Sequence, residues 1–263
     1  SSSGMSPYGQ LKQRWSGMTG LGLLKQLREA IKTPAALENL AQQLKAIHQL
    51  VLQQQRQYLL VAEKQNIDAF ASTMGSVFPS QQTPLQTNNI FDYQPQLETI
   101  NHCWTAATQV SFCAKAYPTV TGSHVDAAAL TLLGGILRNG FLHRTIREQG
   151  GAYGGGASQD SHTGAFRFFS YRDPRIEGPL NDFDQSIQWA LDKPISADKI
   201  EEAVLGVIGS MDKPSSPAGE AIQSFYSELN GRNKQTQTEF RQRILNVSEA
   251  DLKRVAAKYL LPE

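Results

Sequence analysis

The chain is poor in the residues that make many functions easy to assign. Only two of its 263 residues are cysteine, Cys103 and Cys113, too few for a disulfide framework. Cys113 lies in an apolar run and reads as a small core residue. Acidic and basic side chains nearly cancel, 24 against 25, for a formal net charge of +1. Nothing in that balance draws nucleic acid or an anionic membrane, and neither is expected as a partner. No apolar run approaches the roughly 18 residues that a bilayer crossing requires. The opening SSSGMSPYGQ has neither the charged nor the apolar region of a secretion signal. Ser1 to Gly4 read as a remnant ahead of Met5, and a cut fragment would lack a signal in any case. The five histidines, His48, His102, His124, His143 and His162, form no His-x-x-x-His pair and belong to neither H-E-x-x-H nor the inverted H-x-x-E-H. His48 sits on a helical apolar face and reads as packed. His102 and Cys103 are adjacent and would point to opposite faces of a strand. No metal site is expected within this chain, and no cofactor.

What the chain does have is glycine in one place. Gly150, Gly151, Gly154, Gly155 and Gly156 fall within seven residues, with Tyr153 among them. Arg144 and Arg147 stand just before, and an aromatic strand with Phe166, Phe168, Phe169 and Tyr171 follows. Each glycine loses more backbone freedom on folding than any other residue, so such density implies a sharp turn or a close approach. A phosphate cradle is excluded by order: a P-loop or dinucleotide turn precedes its helix, whereas here the helix comes first and a strand after. Ser158, Asp160, Ser161 and His162 read as a polar turn between strands and not as a nucleophile with its base. Arg147 and Tyr153 remain. A guanidinium fork and a phenol across a glycine turn could converge on one carbonyl or carboxylate. On spacing alone the plainer account stands first: Arg147 favours a helix C-terminus and Tyr153 packs in the core.

Periodicity supplies the rest. A helix is expected over 10–31 with a break near Thr19, and a second over 35–55 behind Pro34. This pair has no sheet of its own and must pack on the next domain or on further chain. An apolar strand is expected over Tyr58–Ala62, a helix over 66–76 and a long exposed connection over 79–96. Strands are expected over Leu97–His102 and Thr105–Tyr117, then a helix over 124–138 with Val125 buried and a short one over 142–148. A strand over 164–171 carries aromatics on both faces, and helices follow over 180–191, 197–211, 220–229, 234–245 and 249–259. Ser196 is expected to cap one of these helices, and Ser248 with Asp251 resembles a capping box for the last. Few strands and helices gathered late predict an α+β class: a mostly antiparallel sheet with helices packed on one face, preceded by a two-helix segment.

The stretch LHRTIREQGGAYGGGASQDSHTGAFRFFSYRDP closely resembles the C-terminal half of the pitrilysin/insulin-degrading family of zinc peptidases, the inverzincins, and within it the presequence-protease subgroup. Leu142, Arg144, Ile146, Arg147, Glu148, Gly150, Gly151, Ala152, Tyr153 and Gly154 carry the likeness, with Phe168, Ser170, Tyr171 and Arg172. The family's arginine, with a tyrosine six positions later across a glycine turn, falls on Arg147 and Tyr153. YLLVAEKQNIDAF resembles the family's apolar strand and following helix, and TQVSFCAKAY the strand before its long helix. The resemblance implies the LuxS/MPP-like metallohydrolase fold over 57–263, with 1–56 as the end of a preceding homologous domain. It implies a clamshell enzyme that degrades unstructured peptides, with zinc held by the N-terminal half through H-x-x-E-H. This chain would then be the non-zinc part, inactive alone. Tyr153 would donate to the developing oxyanion, Arg147 would hold the substrate, and Gly150, Gly151 and Gly154 would let the loop approach an extended peptide. Its partner is the zinc-bearing half of the same polypeptide or a separate subunit. The alternative is a non-catalytic subunit or scaffold of the same fold. Location follows source: cytoplasmic in a bacterium, mitochondrial or plastid in a eukaryote.

Overall fold

The computed structural model describes residues 4–53, 56–78, 99 and 101–261. Four helices come first: α1 (Pro7–Ser16), α2 (Met18–Ala30), α3 (Pro34–Gln53) and α4 (Ile67–Val77). Strand β1 (Ser111–Pro118) follows, then α5 (Ala127–Leu137), which runs on as a π-helical segment, Arg138–Gln149. Strands β2 (Gly154–Asp160) and β3 (Ala165–Asp173) complete the sheet. Helices α6 (Glu177–Asp192), α7 (Ala197–Met211), α8 (Pro217–Leu229), α9 (Lys234–Leu245) and α10 (Glu249–Leu260) close the chain. Contacts divide it into two units, Ser1–Gln13 with Gln94–Lys213 and Asn233–Glu263, and Arg14–Tyr93 with Pro214–Arg232.

In the first unit the sheet is antiparallel, in the order β1-β3-β2. Strand β3 alternates: Phe166, Phe168 and Ser170 are buried, while Phe169 and Tyr171 are exposed. The buried face meets helices. Phe168 packs its ring 5.4 Å from Phe183 of α6 and 5.3 Å from Phe166. Helix α5 is apolar nearly all round, with nine of its eleven residues buried, as befits a core helix. Gly134 lets it lie close on β2, since a Cβ there would stand 3.0 Å from the Ser158 Cα. Helix α10 contributes Leu252, Val255, Ala256 and Leu260 to the same core and begins with the expected capping box of Ser248 and Asp251. The α+β class with helices on one sheet face is the observed one.

Several local expectations are corrected. The break in the first helix falls at Gly17, which is extended between α1 and α2. Tyr58–Ala62 is not a strand: the sheet of the described residues has only β1, β2 and β3, and an apolar run with no ladder partner has nowhere to send its backbone bonds. Of Leu97–His102, residues 97, 98 and 100 lie outside the described residues, and 101 and 102 are not strand. The next strand starts at Ser111 and not at Thr105, because its partner β3 stops at Asp173. Arg172 has already turned to φ 52°, and the register slips between Ser111 and Phe112. The expected connection over 79–96 lies outside the described residues. Helix α5 starts at Ala127, which leaves Val125 exposed. The short helix over 142–148 is the π-helical continuation of α5. Ser196 holds the N-cap position of α7 but makes no capping bond with its side chain. Cys113 is half-buried against the core, as read.

The second unit is helical among its described residues. In α3 no residue is buried, and the apolar stripe with Leu37, Leu44, Ile47 and Val51 lies exposed. His48 is exposed with it and is not a core residue; the helical period was real, but no described element covers that face.

One buried charge ties the first unit together. Asp126, just before α5, is 2% exposed. It accepts hydrogen bonds from Arg254 Nη1 at 2.7 Å, Lys258 Nζ at 3.0 Å and the Tyr259 hydroxyl at 2.7 Å, all on α10. Burial alone would raise its pKa; the bonds from Tyr259, Lys258 and Arg254 outweigh that and hold it well below the usual carboxylate range. A depressed carboxylate adds stability that is complete above its unfolded value, near 3.8, and is lost as pH falls towards the folded one. The cations are about half exposed, so water can take them back when the carboxylate goes. Asp126→Asn is expected to cost about 2–3 kcal/mol near neutral pH. It should also make the loss of stability below about pH 4 less steep, as read by denaturant unfolding at stepped pH.

Candidate functional site

The site is built from the turn that joins the π-helical segment to β2. Leu142 and Ile146 are buried and fix the segment against the core. Arg147, the next residue, faces out and is exposed. Gly150 ends the segment in ordinary right-handed geometry, φ −83° and ψ −17°. Gly151 then takes φ 78°, a region that favours glycine, and its N–H donates to the Arg147 carbonyl at 3.2 Å. Ala152 turns inward, 4% exposed, and its N–H donates to the Ile146 carbonyl at 3.1 Å. Tyr153 turns outward, 69% exposed, and its N–H donates to the Arg172 carbonyl at 3.4 Å.

The glycines beyond the turn are strand, so of the two reasons expected for such density, a sharp turn or a close approach, the second applies to them. Gly154, Gly155 and Gly156 pair with Tyr171, Ser170 and Phe169 of β3. Gly155 is glycine for want of room: a Cβ there would stand 2.7 Å from Ile146 Cγ2 and 3.0 Å from the Phe169 carbonyl oxygen. The close approach brings the π-helical segment down onto β2 and holds Arg147 beside the strand that Tyr153 leads into.

On the sheet face away from the helices, aromatic rings form a row. Tyr153 lies 5.9 Å from Tyr171, edge to face, and Tyr171 lies 5.2 Å from Phe112 of β1 in the same manner. All three are exposed. The Arg172 guanidinium stands 5.6 Å from the Tyr171 ring centre. Among the described residues, no carboxylate pairs with Arg144, Arg147 or Arg172, whereas nearby His143 faces Glu148 and Arg167 pairs with Asp160. Arg144 and Arg147 thus stand without a carboxylate partner among the described residues, near exposed phenol and phenyl surfaces, an edge suited to an acceptor-rich chain with apolar side groups.

The structure thus places Arg147, Gly150, Gly151 and Tyr153 on one continuous turn, with Gly154 the first residue of the strand that follows. No hydrogen bond joins the Arg147 and Tyr153 side chains to each other. The plainer account of Tyr153 as a core residue does not hold, because it is exposed; that of Arg147 at a helix C-terminus does, because it lies in the last turn of the π-helical segment. Asp160, the last residue of β2, accepts from the backbone N–H groups of His162 and Thr163, so the expected polar turn between strands is present at 161–164, while Ser158 and Asp160 belong to β2. Sequence reasoning did not join Phe112 to the site. Its partnership with Tyr171 depends on the β1–β3 register, which alternation within β1 does not give. Among the described residues no three His, Cys, Asp or Glu side chains gather to hold a metal, so the residues present do not fit a zinc ion.

Solved structures share this architecture. A protease from Helicobacter pylori matches 77% of this chain and 51% of its own, with a TM-score of 0.58 at 15% identity. An inactive peptidase domain from Bordetella parapertussis matches 57% and 86%, with a TM-score of 0.51 at 18% identity. At such identities the likeness concerns fold alone, and it defines the class as an α+β domain with helices on one face of an antiparallel sheet. The model of the PreP C-terminal domain matches residues 102–260, and the chain belongs to that family. The mitochondrial presequence protease of Saccharomyces cerevisiae is 40% identical over 154 residues, and that of Yarrowia lipolytica 37% over 153. Each alignment takes in 58% of this chain and 15% of the relative, so the chain spans only a small part of their length.

The packing at Gly155 can be tested by coupling. Gly155→Ala is expected to destabilise by about 1–3 kcal/mol through overpacking. In an Ile146→Ala background the added methyl should cost measurably less. A double-mutant cycle by denaturant unfolding reads the difference, and strictly additive effects would show that the two do not meet.

Proposed function

We propose that this chain is the non-zinc part of a larger peptidase of the presequence-protease kind, and that it supplies donors to a bound peptide. The observation that carries this reading is the exposed turn, with Arg147 at its start, unpaired among the described residues, and Tyr153 at its close, at the end of an aromatic row. The Tyr153 hydroxyl donates one directional hydrogen bond to the carbonyl oxygen of the bond being cleaved. That bond strengthens as the oxygen gains charge, so it lowers the barrier more than it aids ground-state binding. Arg147 holds a neighbouring carbonyl or a carboxylate of the same peptide through its guanidinium fork. The aromatic row shelters apolar side chains of the substrate and keeps water from the bond.

Metal chemistry has no place among this chain's described residues and belongs, on this reading, to the N-terminal half of the same long polypeptide. The small share of the relatives that the chain spans supports that view. Alone, the chain binds peptide weakly and does not hydrolyse it. An unstructured peptide suits the site better than a folded protein, because only an extended backbone can lie along a strand edge and expose its carbonyls. The relatives are named as mitochondrial proteins, and that compartment is proposed here for a eukaryotic source, with a plastid as the other; for a bacterial source it is the cytoplasm. No described helix is long and apolar enough to cross a membrane.

Tyr153→Phe in the full-length peptidase is expected to lower kcat roughly 10²–10³-fold with little change in KM. Steady-state cleavage of an unstructured peptide measures both, and unchanged turnover would sink the assignment. Arg147→Gln should instead raise KM, by about tenfold or more, since a charge-assisted bond to substrate is lost.

A further inference from the structure

The glycine that ends the π-helical segment has no conformational reason to be glycine. Gly150 lies at φ −83°, where any residue is at ease. The reason is spatial. A Cβ on Gly150 would overlap Nη2 and Cζ of Arg175, and would stand 2.6 Å from the Ile146 carbonyl oxygen. The guanidinium fills the room a side chain would occupy. Gly178 leaves space for the same residue, since its Cβ would stand 3.0 Å from Arg175 Cδ and Nη1.

Arg175 is itself held from several directions. Its Nε donates to Asp173 Oδ1 at 3.1 Å, its backbone N–H donates to the same oxygen at 2.9 Å, and its Nη2 donates to Asp182 Oδ2 at 3.1 Å. Asp173 is fully buried and also accepts from the Ser170 hydroxyl at 2.7 Å. The segment before Arg175 meets the turn at two more points. The Arg172 carbonyl receives the Tyr153 N–H, and Pro174 packs on Gly151, where a Cβ would lie 3.6 Å from its Cγ. Residues 172 to 175 thus run alongside the turn from Gly150 to Tyr153, and the guanidinium is wedged between them.

We propose that Arg175 is a positioning residue: anchored on Asp173 and Asp182, it fixes the turn and thereby sets where Tyr153, and with it Arg147, are presented. It touches no reacting atom. The inference rests on the proposed role of Tyr153 for its catalytic consequence, and on geometry alone for its structural one. A lysine could still reach Asp173, but a single ammonium cannot fill the fork-shaped space or bridge to Asp182 in the same way. Arg175→Lys should therefore rescue folding more than function.

The test uses the full-length peptidase with 3-fluorotyrosine at position 153 only, observed by fluorine NMR, together with kcat and KM on an unstructured peptide. Arg175→Lys, Arg175→Gln and Gly150→Ala are each expected to shift or broaden the fluorine line. They should lower kcat by about tenfold with a smaller change in KM, the pattern of a misplaced transition-state donor. Combined with Tyr153→Phe, Arg175→Gln should add little further loss. If Arg175→Gln does not fold, Gly150→Ala and Arg175→Lys carry the test. A fluorine line identical to that of the parent in the folded variants overturns the proposal, as does a full additive loss in the double variant. Should Tyr153→Phe alone leave turnover unchanged, the catalytic reading of Tyr153 falls, and the fluorine line by itself decides whether Arg175 holds the turn.

Discussion

Strand β3 must satisfy two surroundings at once, and the first unit is arranged about that constraint. Successive side chains of a strand point to opposite faces, so one face can be sunk in the core only if the other is left out of it. Phe166, Phe168 and Ser170 take the inner face, and Phe169 and Tyr171 the outer. The inner rings call for α5, α6 and α10 above them, because large apolar area of this kind is the main source of stability. The outer face then has no described helix of its own unit to cover it, and it is there that Tyr153, Tyr171 and Phe112 line up.

The neighbouring strand makes the arrangement possible by opening on three glycines, Gly154 to Gly156. Gly155 and Gly134 allow the π-helical segment and α5 to descend onto β2 until backbone meets backbone or methyl. Ordinary side chains there would hold the helices off and carry Arg147 away from the strand. The glycine run is thus a spacing device within the fold before it is anything towards a ligand. Gly151 is the one residue of the turn whose dihedral angles themselves favour glycine.

Helices were readable from the sequence to within a few residues, because their apolar period, their prolines and the Ser248–Asp251 box are local signals. Strands were read less evenly: the one expected over 164–171 falls on β3 and the one over 105–117 covers most of β1 with an excess at its start, but others failed, because a strand exists through its partner. Tyr58–Ala62 has strand composition and no ladder, while Gly154–Gly156 has the composition of a turn and is paired throughout. The site divides in the same manner. Arg147 and Tyr153 stand out by spacing and by family likeness. Phe112 and Arg175 do not, since each reaches the turn through register or through a fold-back that no local pattern encodes. The exposure of His48 makes the related point that an apolar period marks a face and does not say what covers it.

The clasp at Asp126 bears on how the molecule comes into being. Its partners lie 128 to 133 residues further along the chain, and α10 brings Leu252, Val255 and Leu260 into the core with them. A chain emerging from the ribosome cannot close this core until α10 is free. Until then the inner rings of β3 and the apolar flank of α5 lack their final cover. Closing so long a loop is slow relative to forming local helices. Assembly of the first unit is therefore late relative to its local helices, and the interval before it is when the nascent segment most needs protection from association with others.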